Sequence, residues 1–323
     1  MHNGTLALVS GYSTESNSSQ SVFARCIRRS LLAEWDTIMA NYSNVITVNL
    51  AELAEASTVH KQWKKLVAIR AAAQRADLVI WHDADALPHP RGEIVRRFRR
   101  LAALQPDVDL WLDAGLEMKL SRTFDQKAYF EGVPLAEYMR LGLMKNGESL
   151  STSTMLMRGG DRANIVTGVL EIYERARRAG IQISDKPAMN SFLKQHEKIP
   201  SSFVWAAEQG PLLWRLHETH RQKRVRVINW LERTWTFPTY VRTQLGKSEA
   251  FLRPTYWPSF IHLGACNTES GAPKCANRFC PLANESAHAW FAKYERIYED
   301  EFGPLVLRHE WEARARATLT PWE

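Results

Sequence analysis

The stretch Ala76-Asp77-Leu78-Val79-Ile80-Trp81-His82-Asp83-Ala84-Asp85-Ala86-Leu87 decides how this chain reads. Leu78 to Trp81 form a short apolar run, the pattern of a strand buried on both faces. Two carboxylates one residue apart, Asp83 and Asp85, follow where that strand ends. In an open α/β sheet, ligands bind beyond the carboxyl ends of the strands. Carboxylates placed there suit a hard divalent cation and, through it, a phosphate. A solvated turn after a strand is the plainer reading of the same residues, and the rest of the chain decides between the two.

Upstream and downstream, strands alternate with helices. Thr5 to Ser10 read as a strand, followed by a serine-rich loop from Gly11 to Gln20. Ser21 to Asn41 carry Val22, Ile27, Leu31, Leu32, Trp35 and Ile38 near helical spacing, and Val45 to Leu50 form a second strand. Gln62 to Arg75 form a helix with Trp63, Leu66, Val67 and Ile69 on its apolar side. Pro88 and Pro90 are expected to break the chain after the carboxylates, before a basic helix from Glu93 to Leu104 and a fourth strand from Asp109 to Leu112. This alternation implies an α/β fold with a mainly parallel sheet flanked by helices.

The second half is less regular. Thr154 to Met157 read as a strand behind the polar run Ser149 to Ser153, and Gly159-Gly160-Asp161 are expected to open a helix reaching about Ala179. Asp185 to Gln195 form another helix, with Asp185 as its cap and Pro187 in its first turn. Val225 to Trp230 and Ser259 to Leu263 are strands, and Glu285 to Phe302 is a helix, with a last helical piece after Leu307. The segment from Trp230 to Trp257 is dense in Trp, Tyr, Pro and Arg and reads as a binding loop. With no repeat and no clear linker, the expectation is a single continuous domain over residues 1–323, its nucleotide-binding half in 1–115 and its acceptor half in 116–323.

Composition sets outer limits. The 323 residues are 45% hydrophobic and 24% charged, enough for a sizeable core without metal or disulfide support. No apolar stretch is long enough to span a bilayer, and Met1 to Ser10 lack a basic region followed by an apolar signal core. A cytoplasmic protein is the expectation, with a lumenal catalytic fragment cut from its membrane anchor as the alternative. The net charge of +7 comes largely from arginine, as in Arg96-Arg97-Phe98-Arg99-Arg100, and suits an anionic partner such as a nucleotide diphosphate or a lipid headgroup surface. Zinc-finger spacing, RNA-recognition signatures and long basic tails are absent, which speaks against nucleic acid. Four cysteines, Cys26, Cys266, Cys275 and Cys280, leave open a disulfide, a metal site or free thiols in the last cluster.

Four segments give the order of features a resemblance to a known family. They are Trp63-Lys64-Lys65-Leu66, Ile80 to Leu87 with its aspartate pair, Ser151-Thr152-Ser153-Thr154-Met155-Leu156-Met157-Arg158, and Phe260-Ile261-His262-Leu263-Gly264-Ala265-Cys266-Asn267. Together they resemble GT-A-fold, metal-dependent glycosyltransferases, nearest to the galactosyl, xylosyl and mannosyl transferases that include plant xyloglucan xylosyltransferases. The resemblance implies a Rossmann-like nucleotide-binding fold and transfer of a hexose or pentose from a UDP- or GDP-sugar to a hydroxyl of a glycan or glycoconjugate, with retention of configuration. It implies Mn2+ or Mg2+ held by Asp83, Asp85 and His262, with Asp83 touching the metal or the ribose. Lys65 would face the nucleotide, Gly264 and Asn267 would lie at the diphosphate, and the Ser10-Gly11-Tyr12 turn would lie at the base.

The chain departs from the family pattern in places. Ser151 and Ser153 replace an asparagine and a glycine, Asn267 replaces a lysine, and Lys186 stands where glutamine is common in an Asp-Gln-x-x-x-Asn helix start. Asp185 has two readings, a helix cap and a carboxylate near the anomeric carbon. Asp113 and Glu117, after the fourth strand, are the spare carboxylates for base chemistry. Two other functions remain open: a different metal-dependent phosphate-ester enzyme, such as a nucleotidyltransferase or phosphatase, and a non-catalytic nucleotide- or carbohydrate-binding module on a degenerate transferase fold.

Overall fold

The structure is a computed structural model that describes residues 4–10, 44–49, 53, 59–60, 63–83, 86–88, 93–114, 132–140, 150–161, 164–204, 208–217, 223–228, 232–234, 259–262, 285–302, 304, 306–307 and 310. In chain order the elements are β1 (Leu6–Ser10), β2 (Val45–Asn49), α1 (Lys64–Ala73), β3 (Leu78–His82), β4 (Ala86–Pro88), α2 (Ile94–Leu104), β5 (Leu110–Ala114) and β6 (Val133–Pro134). They continue as α3 (Leu135–Arg140), β7 (Leu150–Arg158), α4 (Ile165–Arg178), α5 (Lys186–Gln195), α6 (Gln209–Arg215), β8 (Val225–Ile228), β9 (Glu232–Thr234), β10 (Phe260–His262) and α7 (Ala287–Phe302). The chain divides into two compact units, each discontinuous in sequence. The first comprises Met1–Ser13, Asn44–Asp83 and Phe98–Asn229, the second Thr14–Ser43, Ala84–Arg97 and Trp230–Glu323.

The first unit is built on a seven-stranded sheet in the order β2-β1-β3-β7-β5-β8-β6. β1, β2, β3, β5 and β8 run one way, while β7 and β6 run the other. The expected mainly parallel α/β sheet holds for five strands, and the two reversed strands make it mixed. All five residues of β3 are buried, as its apolar run required. Side chains alternate across the sheet. Ala7, Val9, Val79, Trp81, Met155 and Met157 share one core with Leu66 and Ile69 of α1, Val166 and Val169 of α4, Leu193 of α5 and Leu213 of α6. Trp63 and Tyr173 meet there with ring centroids 5.3 Å apart. Trp111, on the alternate side of β5, sits edge-on to Phe98 of α2 at 5.3 Å. Beyond α6, His217 packs against Phe203 and Trp214, and burial pushes its imidazole pKa below the ordinary range.

Arg158, the last residue of β7, locks the sheet to α2. Its Nε donates to Val108 O at 2.6 Å, and Nη2 donates to Ala102 O at 2.5 Å and Gln105 O at 2.7 Å. The guanidinium also lies 5.6 Å from the centroid of Trp111. The last carbonyls of a helix have no partner within it and carry partial negative charge, so a buried cation is stabilised there.

Three local expectations are corrected. The polar run before Thr154 is not a loop: β7 begins at Leu150 and continues for nine residues. Its hydroxyls find partners within the fold, so they are buried without the apolar character by which a strand is read. Gly159-Gly160-Asp161 do not begin the long helix either. They form a single 3-10 turn with Gly160 at φ 77°, and α4 starts only at Ile165. Asp161 instead caps that helix, its carboxylate accepting from the N–H groups of Ile165 (2.9 Å), Val166 (3.3 Å) and Thr167 (2.7 Å). Pro88 does not break the chain, because it ends β4.

The second unit contains a three-stranded sheet in the order β4-β10-β9 and the helix α7. β4 and β10 are antiparallel, with Phe260 opposite Pro88, Ile261 opposite Leu87 and His262 opposite Ala86. Proline is tolerated on an outer strand, where its missing N–H need not serve a neighbour. Arg97 donates from Nη1 to Ser259 Oγ at 2.9 Å, beside the start of β10. Much of the expected aromatic binding loop, the four cysteines and the helix expected over Ser21 to Asn41 lie outside the described residues. Among the described residues, no helix is long and apolar enough to cross a membrane.

The Arg158 contacts yield a stability prediction. Arg158→Lys keeps the charge but cannot serve three carbonyls in a planar fork, and each buried polar group left unsatisfied costs about 1–3 kcal/mol. We expect a loss of about 2–4 kcal/mol in urea unfolding, read as a lower midpoint at unchanged m-value.

Candidate functional site

The site grows from a reversal in strand order. From β1 the chain passes to β2 on one side and then to β3 on the other. The carboxyl ends of β1 and β3 therefore border a topological switch point, where open α/β sheets bind ligands. Ser10 ends β1 opposite His82, the last residue of β3, and Asp83 comes next. β7 runs the opposite way, so its amino-terminal half lies at the same edge of the sheet. The Asp83 N–H donates to Ser153 O at 2.7 Å.

The pairing of β5 with β7 slips at this edge. Leu112 faces Met155, but the next residue, Asp113, faces Ser151. Thr152, Ser153 and Thr154 thus bulge from the β5 ladder while Thr154 still pairs with His82 of β3. Bulges of this kind re-aim side chains and concentrate at strand ends near functional sites. The hydroxyls of Ser151 and Ser153 lie 2.7 Å apart.

Trp81 and Asp83 are two residues apart, so they project to the same side of the strand. That side is covered by α1. The Trp81 indole N–H donates to Asp83 Oδ1 at 2.9 Å and fixes the direction of the carboxylate. Lys65, in the first turn of α1, is only 9% exposed. Its Nζ lies 2.7 Å from Glu208 Oε1 and 4.0 Å from Asp83 Oδ1, and donates to Thr152 Oγ1 at 3.1 Å. Thr152 Oγ1 donates to Gln209 Oε1 at 3.2 Å, and Gln209 Nε2 donates to Leu150 O at 3.2 Å.

Lys65 sits where a helix disfavours it. The amino terminus of a helix carries partial positive charge, and α1 has no acidic residue in its first turn. Glu208 supplies the missing anion from another element. It immediately precedes α6, yet its side chain makes no cap bond to that helix; the carboxylate goes to Lys65 instead. At an effective dielectric of about 20, attraction at 2.7 Å exceeds that at 4.0 Å by about 2 kcal/mol. Water around the Asp83 side chain, which is 34% exposed against 11% for Glu208, widens that gap. Lys65 therefore belongs first to Glu208. The approach of α6 that brings Glu208 here depends on Gly210, where a Cβ would lie 1.5 Å from Phe203 O.

Of the expected metal ligands, Asp83 is the one whose side chain is described. His262 is placed by β10, which sets it directly opposite Ala86, the residue after Asp85. Asp85 lies outside the described residues, as do Gly11, Tyr12, Glu117, Gly264 and Asn267. Among the described residues no three His, Cys, Asp or Glu side chains converge on one point. The chemistry of the expected donors nonetheless fits Mn2+ or Mg2+: carboxylate oxygens with one imidazole, and an indole N–H orienting the first carboxylate.

The other two carboxylates sit differently. Asp113 lies within β5 rather than after it and is 0% exposed. Asp185 is exposed and caps α5, its Oδ1 accepting from the Ala188 N–H at 3.1 Å. Glu208 and Gln209 escaped the sequence reading altogether. The Glu208-Gln209-Gly210-Pro211 run, acidic with a proline entering an apolar segment, is a helix-start signal in retrospect. Nothing local tells that its acid answers a lysine on a helix so distant in sequence.

No protein-family model matches this chain, and no curated protein matches it. Among solved structures, it is similar to a glycosyltransferase involved in glycosylation of the major capsid of PBCV-1, at 13% identity and a TM-score of 0.39 over 83% of this chain and 98% of that one. It is similar to mouse xyloside xylosyltransferase 1 in its apo form, at 10% identity and a TM-score of 0.38 over 82% and 99%. A third structure, the apo bifunctional glycosyltransferase WbbM, shows 12% identity and a TM-score of 0.35 over 80% of this chain and 46% of that one.

The buried pair yields a second prediction. Lys65→Met leaves the buried Glu208 carboxylate without the ammonium that pairs it and is expected to destabilise the protein by about 3–5 kcal/mol. Adding Glu208→Gln removes the stranded charge and is expected to restore most of that loss. Equilibrium urea unfolding of the two single variants and the double variant checks the coupling.

Proposed function

We propose that the chain is a GT-A-like glycosyltransferase that moves a sugar from a UDP- or GDP-sugar to a hydroxyl of a glycan or glycoconjugate. What carries the reading is one pairing: β10 sets His262 opposite Ala86, the residue that follows the Asp83-Ala84-Asp85 pair. That pairing puts a histidine remote in sequence in register with the strand that follows the aspartate pair. The switch-point edge supports the same reading, since a nucleotide-binding half requires a ligand crevice at the carboxyl ends of its strands.

In this reading Asp83, Asp85 and His262 hold Mn2+ or Mg2+. The cation, when bound, neutralises the charge that develops on the departing nucleoside diphosphate. Trp81 holds the Asp83 carboxylate in one orientation through its indole N–H. Lys65 adds positive charge next to the nucleotide, while Gly264 and Asn267 meet the diphosphate and Ser10, Gly11 and Tyr12 meet the base. The polar run Ser151 to Thr154 reaches the same edge, with Ser151 the least buried of the four. Asp185 serves as a helix cap and also as the carboxylate beside the anomeric carbon. Retention of configuration is part of the same reading, and among the described residues Asp113 is fully buried within β5. The aromatic stretch from Trp230 to Trp257 walls the acceptor, because sugars present apolar faces that stack on rings. The arginines of α2 favour an anionic surface nearby.

Incubation with UDP- and GDP-sugars, Mn2+ and an acceptor is expected to release the nucleotide, and EDTA is expected to stop it. Asp85→Asn is expected to abolish transfer while far-UV circular dichroism stays unchanged. A thermal-shift screen of nucleoside diphosphates with Mn2+ should show a base preference. Turnover without an acceptor would favour a phosphate-ester enzyme, and nucleotide binding without turnover would favour a binding module. Full activity in Asp85→Asn would remove the metal from the account.

A further inference from the structure

We propose that the outer face of α2 docks on an anionic lipid surface, with Arg96 and Arg100 at the headgroups and Leu104 inserted below them. The inference stands apart from the sugar-transfer reading and commits the arginines of α2 to one kind of anion. The fold uses the four arginines of this helix unequally. Arg97 and Arg99 are half-buried and tied back: Arg97 Nη1 donates to Ser259 Oγ at 2.9 Å, and Arg99 Nη2 donates to Asn44 O at 3.2 Å. Arg96 and Arg100 are exposed. Residues four apart lie on one side of a helix. Arg96, Arg100 and Leu104 therefore form one stripe, about 12 Å long at the helical rise. Leu104 is 61% exposed, and among the described residues it is the large hydrophobic side chain left open to water. A lone exposed leucine is ordinary on a protein surface; its alignment with two exposed arginines is what gives this one meaning. Ala103 and Pro106, both exposed, widen the apolar tip.

The inner face of the helix keeps the stripe pointing outward. Ile94, Val95, Phe98, Leu101 and Ala102 are buried, and Phe98 meets Trp111 edge-on. Helix ends fray, but Arg158 holds the carbonyls of Ala102 and Gln105 around this one. Leu104 is thus presented on a fixed turn, and little ordering remains to be done on binding. A lipid surface suits both ends of the stripe. Headgroup phosphates answer the guanidinium groups, and the acyl boundary below them takes a leucine. Nucleic acid answers the arginines alone. Arg96 donates to Glu93 Oε1 at 3.1 Å, but an ion pair open to water is weak and exchanges readily for lipid phosphate. Asp107, exposed in the turn after α2, offsets part of the charge and makes the attachment reversible.

The test is co-sedimentation of the full chain with phosphatidylcholine vesicles, with and without phosphatidylglycerol, in the absence of donor, acceptor and metal. Binding is expected only with phosphatidylglycerol and is expected to fall as salt rises. A basic residue beside such a surface is worth roughly fivefold in partition, so Arg96→Gln combined with Arg100→Gln is expected to weaken binding by roughly 25-fold. Leu104→Ser is expected to weaken it by roughly fivefold, and Arg96→Lys combined with Arg100→Lys is expected to keep it. A wild type that does not bind, equal binding to pure phosphatidylcholine, or unchanged binding in the glutamine pair overturns the inference. So does a Leu104→Ser variant that binds as the wild type does, since the face would then recognise charge alone, as it would on nucleic acid. If the glutamine pair does not fold, Leu104→Ser and the salt series decide: weaker binding in the first and release at high salt support docking, and failure of either overturns it. Nucleotide release in the transfer assay without vesicle binding sinks docking alone, and vesicle binding without transfer leaves docking standing.

Discussion

Strand β7 runs against its neighbours through the middle of the large sheet, and much else in the first unit depends on that reversal. It joins β3 on one side to β5 on the other, so the strands around β1 and those around β8 form one sheet only through it. Its two ends do opposite jobs. The carboxyl-terminal end ties the sheet to α2 through Arg158 and three carbonyls. The amino-terminal end arrives where β1 and β3 finish, and brings hydroxyls to an edge that a parallel strand would have supplied with its own carboxyl end. The register slip at Asp113 lets both ends coexist, since the ladder is regular below it and bulged above it.

Three of the charged pairs in this unit draw their partners from different elements. Lys65 enters from α1 and is met by Glu208 from the start of α6. Asp109, before β5, is met by Arg224 before β8, with Nη2 donating to Oδ1 at 2.9 Å. Arg175 on α4 makes two bonds to Glu197 beyond α5, at 2.8 and 2.7 Å, and that carboxylate raises its guanidinium pKa. The exposed pair adds little stability, as solvent-facing pairs do, while the buried Lys65 pair is costly to break from either side. Such pairs select one arrangement of elements because a slip of either partner leaves a charge unanswered.

The sequence carried some of this plainly. The β3 run is apolar throughout because both of its faces are covered, and the Asp185 cap with Pro187 behind it marks α5 to within a residue. Where the reading failed, hydropathy and local signals were overruled by distant partners. Ser151 to Ser153 read as a polar run ahead of a strand until Lys65, Gln209 and the β3 ladder are known. Pro88 looks like a breaker until β10 is seen to pair beside it. At the site, the aspartate pair announced itself by its position after a buried strand. Glu208 did not, because its meaning lies wholly in a lysine on another helix.

Proline placement at the sheet margins has a consequence for how copies of this chain behave together. β6, at one end of the large sheet, is two residues long and contains Pro134, and β4, at one end of the small sheet, ends in Pro88. An open strand edge is a template on which a second polypeptide can add by hydrogen bonding. A ring nitrogen interrupts the row of donors that such a template needs, and a two-residue strand offers almost no row at all. Crowded chains would find little purchase for intermolecular strand addition along these two margins, which favours colloidal stability at high concentration.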